Sequence, residues 1–161
     1  MVRLRRRAAI SLALLGAALM FSTEASAASP EGEWLVNGGT GRVRITDCGG
    51  ALWGIVTWES VPGVDDQNPN AALRNRPILG MPVLLELRER STGQWWGHIY
   101  NSTNGRTYSG GVRLKSPDVL RITGCVLGIL CGGQDWTRVA DASPGPGPDE
   151  DGVCTRLASQ D

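Results

Sequence analysis

The feature that most constrains this chain is its rhythm between residues 32 and 140. Apolar side chains alternate with polar ones in short runs, and glycine-containing turns end most of those runs. A period near two belongs to half-buried strands, and the 3.6 period of an amphipathic helix is scarce. Eight strands are predicted: Gly32–Val36, Arg42–Thr46, Ala51–Trp58, Met81–Arg90, Gln94–Tyr100, Arg106–Leu114, Val119–Cys125 and Gln134–Ala140. The first two are joined by Asn37-Gly38-Gly39-Thr40-Gly41, whose Asn-Gly and Gly-Gly pairs supply the positive φ of a tight hairpin. Helix competes only in the Pro82–Arg90 stretch, rich in Leu and Glu, where the alternation of Val83, Leu85 and Leu87 favours a strand. A short helix also fits within Asn70–Arg76. Successive hairpins predict an all-β fold, a single up-and-down antiparallel barrel of about eight strands. Such closure leaves no sheet edge, and its interior holds either packed side chains or one small ligand.

The two ends read differently. Arg3, Arg5, Arg6 and Arg7 precede the apolar stretch 8–21, and Ala25-Ser26-Ala27 follows, which is the anatomy of a secretory signal peptide. Fourteen apolar residues reach about 21 Å as a helix, short of the ~30 Å hydrocarbon layer, so no permanent span is expected. The predicted organisation is a signal peptide over 1–27, a β-barrel domain over 28–140 and a Pro/Gly-rich acidic tail over 141–161. The chain has 16 basic and 16 acidic side chains; losing the leader removes four arginines and Glu24, leaving 12 against 15. A mildly acidic chain whose one lysine is Lys115 has no electrostatic footprint for nucleic acid. Export predicts a periplasmic or secreted protein whose four cysteines meet an oxidising compartment, where disulfides are favoured over zinc.

Several motifs, in order, carry a family resemblance. They are Gly32-Glu33-Trp34, Val43-Arg44-Ile45, Cys48-Gly49-Gly50-Ala51-Leu52-Trp53-Gly54, Asp66-Gln67-Asn68-Pro69-Asn70 with Leu73-Arg74, Trp96-Gly97-His98-Ile99-Tyr100-Asn101, Gly105-Arg106-Thr107-Tyr108 and Gln134-Asp135-Trp136-Thr137-Arg138. Together they resemble the bacterial exported family catalogued as domain of unknown function 2147, over roughly Gly32 to Val139. The resemblance implies a calycin or lipocalin-like barrel and no particular activity. The chain departs from that pattern at Trp53, often a cysteine able to pair near Cys48, and at His98, often a glycine.

Within such a barrel, the Trp of the first strand is covered by a basic side chain of the last. Trp34 and Arg138 are therefore expected to meet and close one end. An even-numbered meander puts the connection after strand two and the chain after strand eight at one end, and the connection after strand seven at the other. Pairing then runs Cys125–Cys131 and Cys48–Cys154, with free Cys48 and Cys154 as the rival state.

The polar segment Asp65–Asn70 begins like a calcium loop, but Ala71 stands where glycine is needed and Pro77 where the bidentate Glu should be. Asx-turns account for the same residues, and Arg74 is able to pair with Asp66. As a ligand site, the expectation is that Asp66, Asn68, Arg74, Tyr100 and Asn101 line the barrel entrance, facing the apolar stretch 126–130. Catalysis finds no machinery: His98 stands alone, and no nucleophile elbow, His-Glu-x-x-His or phosphate loop is present. No catalytic, metal or cofactor-binding residue is assigned.

Of the six tryptophans, Trp34, Trp58, Trp96 and Trp136 are expected to be mostly core. Four indoles inside would leave little room, while Gly54, Gly110 and Gly124 would restore some. The leading expectation is a non-catalytic exported barrel whose partner is a small, partly apolar ligand. A module with a filled interior that contacts another envelope protein comes second, and an uncharacterised enzyme third.

Overall fold

The computed structural model describes residues 29–140 and 154–155. Eight strands run β1 (Gly32–Leu35), β2 (Gly41–Asp47), β3 (Leu52–Glu59), β4 (Pro82–Ser91), β5 (Gln94–Asn101), β6 (Arg106–Ser116), β7 (Val119–Val126) and β8 (Leu130–Arg138). Each pairs antiparallel with its sequence neighbour, and β1 pairs with β8, so the sheet closes into an all-β up-and-down barrel. The closing seam is short: Trp34 faces Arg138 and Leu35 faces Thr137. The leader lies outside the described residues, as does the tail apart from Cys154 and Thr155.

An even meander has two unlike ends. The connections after β2, β4 and β6 share one with the segment before β1 and the chain after β8. That end is sealed. The Arg138 guanidinium lies 4.2 Å from the Trp34 ring centroid and donates to three backbone carbonyls, of Glu31, Ser29 and Pro117, each at 2.7 Å. Trp34 Nε1 donates to the Pro30 carbonyl at 2.7 Å, so residues 29–31 lie across the barrel bottom. Gly32 is required there, because a Cβ would come within 2.8 Å of Arg138 Nη1 at a φ of +117°. Cys48 and Cys154 are joined at this end with Cα atoms 5.4 Å apart.

Three sequence expectations are corrected. The last strand starts at Leu130 rather than Gln134, because Cys131 sits directly opposite Cys125 in the ladder and is joined to it. The β7–β8 connection thereby shrinks to Leu127–Ile129. In β4 the alternation of Val83, Leu85 and Leu87 breaks, and the fully buried residues are Leu84 and Leu87. A bulge between Leu85 and Arg88, with Glu86 at φ +50°, carries the strand from one buried position to the other. The helix allowed within 70–76 is a single 3-10 turn, Ala71–Leu73, capped by Asn70 Oδ1 accepting from the Ala72 N–H at 3.0 Å.

The third correction concerns the tryptophans. Trp34 and Trp136 are buried core. Trp58 is 41 % exposed, because a register shift between Arg42 and Val43 turns it outward beneath Arg42, 5.3 Å away. Trp96 lies on the outer wall, donating to Ser109 Oγ at 3.1 Å beneath Arg90, and its neighbour Trp95 packs against the core instead. Two indoles fewer than expected at those positions leave the interior incompletely filled.

Candidate functional site

The open end carries the connections after β1, β3, β5 and β7. Behind it lies a cavity of about 430 Å3. Val43, Val56, Leu84, Ile99, Ile122 and Trp136 form its apolar walls and floor. Around the mouth stand uncharged polar groups, Asn37 and Thr40 of the first hairpin, Asn101, Ser102 and Thr103 of the third, and Gln134 of β8. No charged side chain borders it. An adjoining recess of about 360 Å3 shares Ile99, Asn101, Ile122 and Gln134 and continues along Gly124, Gly132 and Gly133.

A row of glycines crosses this side of the barrel, and two of them, Gly124 and Gly132, border the recess. Gly97, Gly110, Gly124 and Gly132 pair in register across β5, β6, β7 and β8. At Gly110 the strands approach so closely that a Cβ would collide with the Thr123 carbonyl; at Gly132 a Cβ would meet nothing within 4 Å.

A second polar group holds the long β3–β4 connection beside the mouth. Asp65 is fully buried and accepts at Oδ1 from the Tyr100 hydroxyl (2.6 Å). Its Oδ2 accepts from Asn68 Nδ2 (2.7 Å) and from Arg76 Nε (2.9 Å) and Nη2 (2.8 Å). Burial pushes the Asp65 carboxyl up, but the bonds from Tyr100, Asn68 and Arg76 and the Arg76 charge outweigh it and hold the group below its ordinary value. Burial, and the bond to ionised Asp65, push the Tyr100 phenol above its own. Gln67 passes so close to the β5–β6 turn that only a glycine fits at 105.

The residues expected at the entrance divide accordingly. Tyr100 and Asn101 border the cavity. Asn68 is buried inside the loop cluster, where its Oδ1 accepts from the Asn70 N–H at 2.8 Å. Arg74 Nε donates to the Asn68 carbonyl at 2.8 Å, and the acidic partner in this loop is Asp65, bonded to Arg76 in place of the Asp66–Arg74 pairing. Asp66 is exposed beside the cluster and does not border the cavity. Sequence reasoning missed Asp65 and Arg76, and it missed the mouth residues Asn37, Thr40 and Gln134. Gln134 was legible in principle, two residues before Trp136 on the same strand face. His98 is exposed on the outer wall, between Leu85 and Ser109 of the flanking strands. Among the described residues no group of three His, Cys, Asp or Glu is arranged to hold a metal, and no helix is long and apolar enough to cross a membrane.

Comparison with known proteins adds fold and family. A family model described as "Uncharacterized protein conserved in bacteria (DUF2147)" matches residues 32–138, the first residue of β1 to the last of β8. No curated protein matches the chain. Among solved structures, the chain is similar to one described as protein HP1028 from the human pathogen Helicobacter pylori, which belongs to the lipocalin family. The two share 24 % identity with a TM-score of 0.62, covering 69 % of this chain and 83 % of that one. At that identity the likeness is one of fold.

Proposed function

The chain belongs to the bacterial family of domain of unknown function 2147, and from that premise we propose that it is a non-catalytic carrier that binds one small, partly apolar ligand inside its barrel. The carrying observation is the cavity of about 430 Å3, with apolar walls and an uncharged polar mouth. Ligand sites are concave, mostly apolar, and furnished with a few polar groups that set orientation; volumes of about 300–1,000 Å3 are usual. With each water-sized group taking ~30 Å3, the cavity accepts on the order of a dozen non-hydrogen atoms. Tyr100 and Asn101 are the entrance residues of this reading, while Asn68, Arg74 and Asp66 support the loop beside it.

The filled-interior alternative is disfavoured by the same cavity. An enzyme would need a nucleophile with an acid–base partner facing that space; the hydroxyls bordering it are those of Thr40, Tyr100, Ser102 and Thr103, and no His, Cys, Asp, Glu, Lys or Arg borders it. We further propose that residues 1–27 direct export and are removed, placing the barrel and its acidic tail in the periplasm or outside the cell. The basic-then-apolar leader supports this, as do the two disulfides.

Native mass spectrometry of protein purified from the periplasm tests both. The expected result is a polypeptide lacking its leader, with an adduct that disappears on denaturation. The carrier reading fails if the mass is bare and the uncharged fluorophore N-phenylnaphthylamine gains no emission with the protein.

A further inference from the structure

The cavity mouth is not the only apolar feature of the open end. Every large apolar side chain that stays exposed among the described residues belongs to that end. One group is the tip of the β7–β8 hairpin, where Val126, Leu127, Ile129 and Leu130 are 46 %, 87 %, 78 % and 68 % exposed. The other lies in the β3–β4 connection, chiefly Val61 at 78 % and Leu79 at 56 %, with Trp58 at its root. In a closed eight-strand order these two connections stand on opposite sides of the mouth.

The hairpin tip is built to present its apex. The Ile129 N–H donates to the Val126 carbonyl across a turn whose central residues, Leu127 and Gly128, have φ of +53° and +73°. Both positive, these are the demands of a type I′ turn, which Asn or Gly meets cheaply and a leucine does not. The Cys125–Cys131 bridge clamps its base. A strained, clamped turn that holds a leucine in water gains nothing for the fold, so the gain lies in what the leucine meets.

The geometry points to a lipid bilayer as that partner, with the barrel docking mouth-down so that its ligand is an amphiphile taken from the membrane. This rests on the carrier reading above. Two apolar groups on opposite sides of an open mouth do not make the one continuous face, about 800 Å2, that a stable protein partner or second copy requires. A fluid surface conforms to both, as it does to interfacial amphipathic segments that sink ~5–10 Å. Charge agrees in direction. Two exposed arginines, Arg74 and Arg106, stand at the open end with one exposed carboxylate, Asp66. An apolar ligand then passes from bilayer to cavity without crossing water.

The test uses vesicles of phosphatidylethanolamine and phosphatidylglycerol in a flotation assay, with the protein as processed and purified from a bacterial periplasm. It is compared with the Leu127→Ser/Ile129→Ser variant, whose changes lie on exposed turn positions, and both are titrated with N-phenylnaphthylamine in the absence of lipid. The expected result is flotation of the parent, at least about tenfold weaker binding by the variant, and equal fluorophore binding by both. Flotation unchanged in the variant, or none by the parent, overturns membrane docking and leaves the carrier reading standing if the fluorophore binds. Concentration-dependent dimerisation that the variant abolishes also overturns it, in favour of a second copy. Fluorophore binding by neither protein removes the carrier reading itself, and the proposal with it.

Discussion

Arg138 and Trp34 face each other across the closing seam, guanidinium over indole at 4.2 Å, and through them the first and last strands become one wall. The same guanidinium fastens three backbone carbonyls, so its removal strips a ring contact and three charge-assisted bonds together. Arg138→Ala is expected to lower stability by about 2–4 kcal/mol in urea denaturation. Arg138→Lys should recover less than half, since an ammonium cannot reproduce the planar fork. A loss under ~0.5 kcal/mol in the alanine variant would remove this contact from the closure.

The two disulfides enclose very different lengths of chain, 106 residues for Cys48–Cys154 and 6 for Cys125–Cys131. Loop-closure entropy then predicts about 4–5 kcal/mol for breaking the first and about 2 kcal/mol for the second. Paired serine substitutions, measured by denaturant unfolding, should reproduce that order. The reverse order would show that native contacts around the short bridge outweigh the chain statistics.

Asp65 is expected to make the barrel acid-sensitive. Its carboxyl is held below its ordinary value in the fold, so the stability of its ionised form is fully present above the unfolded value of about 3.9 and is lost as pH falls through the lower folded value. Asp65→Asn should cost stability at neutral pH and flatten the decline between about pH 5 and pH 2. Tyr100→Phe should cost about 1–3 kcal/mol at neutral pH, from the lost bond to a buried carboxylate and the lost bond from Asn68 Nδ2. An acid limb unchanged in the asparagine variant would assign the sensitivity to another group.

Gly132 borders the recess, and a side chain there would meet open space. Gly132→Leu is therefore expected to leave the melting temperature within a few degrees of the parent, while reducing N-phenylnaphthylamine binding about tenfold or more. Unaltered binding with unaltered stability would move the ligand elsewhere.

Leu127 yields a prediction in which stability and function part. Asn accepts a positive φ more readily than Leu, so Leu127→Asn should stabilise the fold by about 1 kcal/mol while weakening vesicle binding. A destabilised variant would show that the leucine packs for the fold's own benefit.

Strand order and closure were legible because alternation and glycine turns are local signals, and eight such strands joined by hairpins have few ways to close. The Trp34–Arg138 meeting follows from that order together with the lipocalin-like pattern that the family resemblance implies. Bulges were not legible. Nothing in the run from Val83 to Arg90 announces that Glu86 adopts φ +50°, yet this moves burial from Leu85 to Leu84 and Leu87. The shift at Arg42 likewise turns Trp58 outward. At the candidate site the error was one of position within the right loop: Asp65 and Asp66 are adjacent and chemically identical. Only the tertiary approach of Tyr100 and Arg76 decides which one is drawn inside.

Because Arg138 and the segment 29–31 stopper the bottom of the barrel, the cavity is a cul-de-sac rather than a conduit. In the proposed carrier reading, a bound ligand would leave at the end by which it entered. Loading and unloading would then both be governed by what the open end confronts.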